Sequence, residues 1–108
     1  MSFGLPDQVL HALRQVFAEF SEVTEVRVYG SRAKGTHKQG SDIDLAFFAP
    51  AASVQLAAHL AARLDELPTP YSFDVTDYFR LTHPNLKEHI DRVGVVLYHR
   101  DSDDSSAS

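Results

Sequence analysis

Four short runs of β-branched and aromatic residues alternate with three amphipathic segments, and this alternation most restricts the folds open to the chain. Each strand-like run lies within two residues of a glycine or proline; the runs cover 26–29, 43–48, 71–76 and 95–98. Apolar residues recur at helical spacing over 7–20, over 53–67 with Ser53 as the expected cap, and from Pro84 to a stop at Gly94. Strands alternating with helices predict an α/β domain in which helices pack against one sheet.

The 108 residues suffice for one domain, which we place at 1–100, with an acidic and serine-rich tail at 101–108 that we expect to be disordered. The net charge is −5, but three of the 15 acidic residues lie in that tail, which leaves 10 basic against 12 acidic residues elsewhere. A nearly neutral body does not favour nucleic acid as a direct ligand. There is no cysteine, no apolar run of the ~20 residues that a membrane span needs and no secretion signal, so we expect a cytoplasmic protein.

A glycine turn with basic neighbours follows the first predicted strand, in the sequence Gly30-Ser31-Arg32-Ala33-Lys34-Gly35. If a short helix begins there, its free N–H groups attract phosphate, and Gly30 lets a phosphate approach the backbone closely. Ser31 adds a hydroxyl donor, and Arg32 and Lys34 add positive charge. Taken alone, the segment is also compatible with a serine-capped turn beside exposed basic residues.

Two carboxylates, Asp42 and Asp44, lie two residues apart where the second strand begins. Because side chains alternate along a strand, both point to one face while Ile43 and Leu45 point to the core. A third carboxylate, Asp74, lies between apolar residues of the third strand. Asp77 is the alternative third acid, but it has the opposite parity and the position of a helix cap. A lone Asp-x-Asp is also common as a polar strand entrance.

Three converging acids need either a bound cation or one acid that stays protonated, because two carboxylates about 5 Å apart repel by ~3 kcal/mol at an effective dielectric constant of 20. Mg²⁺ prefers carboxylate oxygens and completes its shell with substrate phosphates. The six histidines lack the spacing of a zinc site, and we interpret them as structural or surface residues, although His37 lies in the basic loop.

Together these motifs resemble the minimal nucleotidyltransferases of the DNA polymerase beta superfamily. The family signature is Gly-Ser, ten residues and Asp-x-Asp, which here is Gly30-Ser31, 32–41 and Asp42-Ile43-Asp44. The third family aspartate corresponds to Asp74, and residues 86–98 are similar to the closing helix and strand. The resemblance covers roughly 7–99 and implies a palm-like fold, with a small mixed sheet of about four strands flanked by helices.

The resemblance implies Mg²⁺-dependent transfer of AMP from ATP to a hydroxyl group. Asp42, Asp44 and Asp74 would be the catalytic and metal-binding residues, with two Mg²⁺ ions held mainly by Asp42 and Asp44. Asp74 would complete the catalytic-metal site and help to deprotonate the acceptor. Gly30 and Ser31, assisted by Arg32 and Lys34, would bind the outer phosphates of the nucleotide.

The resemblance also implies a partner, because minimal members of the family are often paired with a small helical HEPN toxin. In such pairs the nucleotidyltransferase is the antitoxin and adenylylates the toxin. Two alternatives stay open on the sequence alone. One is a non-catalytic antitoxin that acts by complex formation, and the other is a transferase for a small-molecule hydroxyl whose substrate pocket lies in a separate subunit.

Overall fold

A computed structural model of the chain describes residues 5–30 and 42–100. Its elements are α1 (Asp7–Glu19), β1 (Glu25–Tyr29), β2 (Ile43–Phe48), α2 (Leu56–Asp65), β3 (Phe73–Asp77), a 3-10 turn (Tyr78–Arg80), α3 (Pro84–Val93) and β4 (Val95–His99). The predicted alternation of helices and strands is confirmed. The short helix expected after Gly30 and the tail at 101–108 lie outside the described residues. Within these two ranges, no helix is long and apolar enough to cross a membrane.

The four strands form one mixed sheet in the order β3-β2-β1-β4. Strand β1 is antiparallel to both β2 and β4, whereas β2 and β3 run parallel. Among the residues that the structure describes, the edge strands β3 and β4 are therefore each hydrogen-bonded to the sheet on one side only. This order places the ends of β1, β2 and β3 that carry Tyr29, Asp44 and Asp74 next to one another.

One face of the sheet carries the main core, which is covered by α1 and α2. Ile43, Leu45 and Phe47 alternate along β2 onto this face and are fully buried, as the period of two requires. From α1, Leu13 and Phe17 meet them with no exposed surface. The stripe of apolar residues predicted for the first helix therefore packs as expected.

The opposite face carries a smaller apolar cluster beneath α3. Ile90 is fully buried there against Tyr29 and Ala46. Helix α3 begins with Pro84 in its first turn, and the Nδ1 atom of His83 accepts a hydrogen bond of 3.2 Å from the N–H of Leu86. Since α3 lies on the face onto which Asp44 points, this helix borders the candidate site.

Helix α2 is shorter than the prediction of 53–67, and the expected cap at Ser53 is wrong. The N-cap residue is Gln55, whose backbone is already helical and whose side chain makes no capping bond. Ser53 instead closes a turn, its carbonyl accepting a 3.2 Å hydrogen bond from the N–H of Leu56. The regular helix thus starts at the first buried leucine, while Leu67 packs on the core from beyond its end.

Two arginines link α1 to the last strand and the residue after it. The Nε–H of Arg14 donates a 2.9 Å hydrogen bond to the carbonyl of Leu97. Arg100 donates to the carbonyls of Ala18, Phe20 and Val23 at 3.1–3.3 Å. Because the carbonyls that end a helix lack partners within it, Arg100 caps the end of α1.

Candidate active site

Asp44 and Asp74 lie side by side on the parallel strands β2 and β3, as partners in register. Neighbouring strands are about 4.8 Å apart, so the two side chains leave the same face of the sheet as close neighbours. Asp74 is exposed, and Asp44 is partly buried. The strand parity predicted for both residues is thus realised by the pairing of β2 with β3.

Asp42 lies one residue before β2 and is exposed. Its negative charge reaches Asp44, where it raises the pKa of that carboxyl together with Asp74. Asp42 therefore lies at the same end of the sheet as the register pair of Asp44 and Asp74. Their roles in metal binding and catalysis stay predictions.

The pKa of Asp44 is raised above its ordinary value, first by burial and then by the negative charges of Asp74 and Asp42. His89, on α3, acts in the opposite direction and lowers the pKa of Asp44. A carboxylate that is partly desolvated beside two like charges is destabilised when ionised. A bound cation would remove that penalty.

Gly30 directly follows β1 and lies against the side chain of Asp44. Its φ of +79° lies in the left-handed region, and a β-carbon there would come within 2.6 Å of the Oδ2 atom of Asp44. The backbone conformation therefore favours glycine, and a side chain at this position would displace the Asp44 carboxylate. The other predicted nucleotide-binding residues, Ser31, Arg32 and Lys34, lie outside the described residues, as does His37.

Carboxylate ligands fit a hard divalent ion whose coordination shell is completed by oxygen atoms of the substrate. In the parts of the chain that the structure describes, no three His, Asp or Glu side chains are grouped so as to hold a metal ion. Mg²⁺ is commonly held by one or two carboxylates together with substrate phosphates rather than by an all-protein cage. The register pair of Asp44 and Asp74, with Asp42 beside it, supplies ligands of that type.

Asp77, the alternative third acid, is placed elsewhere. It pairs with Phe47, at the opposite parity from Asp74, and its Oδ2 atom forms an ion pair with the Nε of Arg80 at 3.2 Å. It precedes the 3-10 turn at Tyr78–Arg80 but makes no side-chain capping bond. Its Oδ1 atom is buried and has no hydrogen-bond partner among the described residues. Asp74, not Asp77, is the neighbour of Asp44.

His89 belongs to the site, although the sequence analysis treated it as a surface or structural residue. Its ring lies edge-on to that of Tyr29, with centroids 6.2 Å apart, and its charge acts on Asp44. The available signal was its position next to Ile90 and three residues after Leu86 on an amphipathic helix. That spacing places a polar side chain at the border of the buried face.

Comparison with known proteins agrees with this architecture. Residues 11–103 match the family described as polymerase beta, nucleotidyltransferase. No curated protein sequence matches the chain at a significant level.

Several solved structures share the fold at low sequence identity. A toxin–antitoxin complex with AMP-PNP superposes with a TM-score of 0.70 at 21% identity, over 88% of this chain and 77% of that chain. The MntA–HepT toxin–antitoxin gives 0.66 at 17%, over 92% and 77%. A complex of tri-AMPylated Shewanella oneidensis HEPN toxin with MNT antitoxin gives 0.64 at 18%, over 91% and 76%.

The four-stranded mixed sheet with its three helices, in the described part of the chain, is the nucleotidyltransferase fold that the sequence predicts. The family match covers most of the chain and includes the Gly-Ser turn and all three aspartates. The chain therefore belongs to the polymerase beta nucleotidyltransferase family.

Proposed function

We propose that this protein is a Mg²⁺-dependent nucleotidyltransferase that transfers AMP from ATP to a hydroxyl group of a partner protein in the cytoplasm. We further propose that it is the antitoxin of a HEPN/MNT toxin–antitoxin pair. The observation that carries the proposal is the register pair of Asp44 and Asp74, beside a glycine turn whose space Asp44 fills. Family membership supports nucleotidyl transfer as the reaction.

The three acids have separate tasks in this proposal. Asp42 and Asp44 hold two Mg²⁺ ions, and Asp74 completes the site of the catalytic ion. When bound, Mg²⁺ offsets the negative charge of the triphosphate and of the departing pyrophosphate. Because Asp74 is exposed at the edge strand, an acceptor hydroxyl from another molecule can approach it and give up its proton to the carboxylate.

The nucleotide would lie against the end of β1. Gly30 has no side chain, so a phosphate could approach the backbone of this turn closely. Ser31 would donate a hydrogen bond to the outer phosphates, and Arg32 and Lys34 would add charge to hold them. As the acceptor oxygen bonds to the α-phosphorus, the bond to the pyrophosphate oxygen breaks and the pyrophosphate leaves.

The proposed partner is a small helical HEPN protein. Support comes from solved toxin–antitoxin complexes that share the fold, one of them with AMP-PNP and another with a tri-AMPylated HEPN toxin. An acceptor on a second protein also agrees with the exposed position of Asp74.

The test incubates the protein with labelled ATP, Mg²⁺ and the proposed HEPN partner protein. The wild type is expected to label the HEPN protein, and Asp44→Asn or Asp74→Asn to reduce labelling at least ~100-fold, as loss of a metal ligand or base commonly does. Asp65→Asn is the matched control, because Asp65 is an exposed acid at the end of α2, away from the site. Chelation with EDTA should abolish labelling.

Two results would contradict the proposal. If the HEPN protein stays unlabelled and Asp42→Asn/Asp44→Asn still neutralises its toxicity in cells, the protein acts by complex formation alone. If the label appears in a small molecule while the HEPN protein is unmodified, the acceptor has been assigned to the wrong class.

A further inference from the structure

A hydrogen bond between two hydroxyl groups crosses the sheet beside the aspartates. The hydroxyl of Tyr29, at the end of β1, lies 3.1 Å from Oγ1 of Thr76 on β3. These strands are not neighbours, since β2 lies between them. The bond therefore links the inner strand β1 to the edge strand β3 through side chains rather than through backbone hydrogen bonds.

A small residue under the tyrosine allows this crossing. Thr76 is in register with Ala46, and Tyr29 is in register with Asp44, so the Tyr29 side chain must pass diagonally over β2. Ala46 is fully buried against Tyr29, which is itself only 7% exposed. Ile90 of α3 covers the same cluster. The Tyr29 ring is thus packed between Ala46 of the sheet and Ile90 of α3.

The bond acts on an edge strand of the sheet. Within the described residues, the backbone of β3 pairs with β2 alone, and parallel pairing is slightly less stable per residue than antiparallel pairing. On the other face, Phe73 and Val75 of β3 pack on the main core. Thr76 lies two residues after Asp74 and points to the same face. On the face that carries Asp74, the bond to Tyr29 adds an attachment at Thr76 and therefore restricts twisting of β3 next to Asp74.

We propose that Tyr29 is a positioning residue whose hydroxyl, through Thr76, keeps Asp74 aligned with Asp44 for the binding of Mg²⁺ and nucleotide. This inference rests on the proposed function, because it assigns a device to the same site. Burial raises the pKa of Tyr29 above its ordinary value, and the charges of Asp44 and Asp74 raise it further, while its hydrogen bond to Thr76 has the opposite effect. The phenol accordingly keeps its proton at neutral pH.

The experiment measures the binding of AMP-PNP as a function of Mg²⁺ by calorimetry, with thermal melting recorded on the same samples. We compare Tyr29→Phe, Thr76→Val and the double variant. Each should raise the Mg²⁺ concentration for half-maximal nucleotide binding about five-fold, which corresponds to one ordinary hydrogen bond. The double variant should equal the single variants, because both remove the same bond. Thr76→Ser, which keeps the hydroxyl, should restore most of the wild-type response.

Tyr98→Phe is the matched control. It removes the same hydroxyl from a tyrosine that packs on the main core, on the other face of the sheet, and should leave the Mg²⁺ dependence unchanged. If Tyr29→Phe and Thr76→Val shift melting but not the Mg²⁺ dependence, or if their effects add, the positioning role is overturned. If the wild type itself takes up no nucleotide with Mg²⁺, the proposed function fails instead, and the positioning role fails with it.

Discussion

The Asp44 carboxylate lies where a side chain on Gly30 would have to go, since a β-carbon on Gly30 would lie 2.6 Å from Oδ2 of Asp44. The turn that ends β1 and the carboxylate that begins the candidate site are therefore in direct steric contact. Any side chain at Gly30 must move Asp44, and the left-handed φ of +79° adds a separate conformational cost. Stability and binding can be separated experimentally at this contact.

Gly30→Ala is expected to lower the free energy of unfolding by about 1 kcal/mol, because alanine is strained at a positive φ. It should also weaken Mg²⁺-dependent nucleotide binding, since the flexible carboxylate of Asp44 must rotate away from the new methyl group. Chemical denaturation measures the first effect, and calorimetry with AMP-PNP measures the second.

The matched background for Gly30→Ala is Asp44→Ala, which removes the clash and leaves the φ cost. The loss of stability on changing Gly30 should then be similar in both backgrounds. A loss that disappears when Asp44 is replaced would mean that the backbone conformation contributes nothing and that the clash alone is responsible.

Asp44→Asn should stabilise the metal-free protein at neutral pH. The folded pKa of Asp44 is raised above its ordinary value of 3.8, by burial and then by Asp74 and Asp42, so the ionised form is penalised in the folded state. Below that ordinary value the carboxyl is neutral in both states and costs nothing. As the pH rises through the raised pKa the penalty appears in full, and solvent screening keeps it to about 1 kcal/mol or less.

Melting temperatures of wild type and Asp44→Asn, measured between pH 4 and pH 7.5 in EDTA, test this sign. The gap should grow with pH and should reverse when Mg²⁺ and AMP-PNP are added, because only the wild type then gains binding energy. Glu22→Gln, at an exposed acid after α1, is the control for loss of one negative charge. A gap that narrows as the pH rises would refute the assignment.

Ile90→Ala should reduce the free energy of unfolding by about 3 kcal/mol. Ile90 is fully buried between α3 and the sheet, and its truncation leaves a cavity there. Ile90→Val should cost about 1 kcal/mol. Val96→Ala, at a position that is 49% exposed, should change stability by less than about 0.5 kcal/mol. Equal losses at Ile90 and Val96 in urea denaturation would show that α3 is not anchored there.

Arg100→Ala should destabilise the protein by about 2 kcal/mol, because two carbonyls at the end of α1 and the carbonyl of Val23 lose a charged donor. Arg92→Ala is the matched control. Its exposed pair with Glu88, four residues earlier on α3, contributes about 0.3–0.5 kcal/mol. Thermal melting that ranks the two variants in the opposite order would exclude the capping role of Arg100.

Local patterns predicted the elements well, because each pattern reports burial within a few residues. The alternation around Ile43 and Leu45 identified the buried face of β2, and the same parity grouped Asp42 with Asp44. The preference for Asp74 over Asp77 also followed from parity, and the register of β3 against β2 agrees with it. The start of α2 was wrong, since Ser53 closes a turn rather than capping the helix.

Contacts between distant residues were not predictable in the same way. Nothing near Tyr29 in the sequence indicates a hydrogen bond to Thr76, 47 residues later, because that contact depends on strand order and on the small Ala46 between them. His89 was missed for the same reason, since its place beside Tyr29 follows from the packing of α3 on the sheet. The strand order β3-β2-β1-β4 depends on which strands pair, and the hydrophobic periodicity of each strand carries no information about its partners.

The pairing of β4 with β1 has a consequence for biosynthesis. Val28 is hydrogen-bonded to a strand that begins at Val95, so the ribosome must make the intervening residues before the centre of the sheet gains its second neighbour. Until then β1 exposes a row of unpaired backbone groups, which can pair with another nascent chain. Contacts this distant in sequence form slowly, so β1 stays open to such pairing until β4 docks.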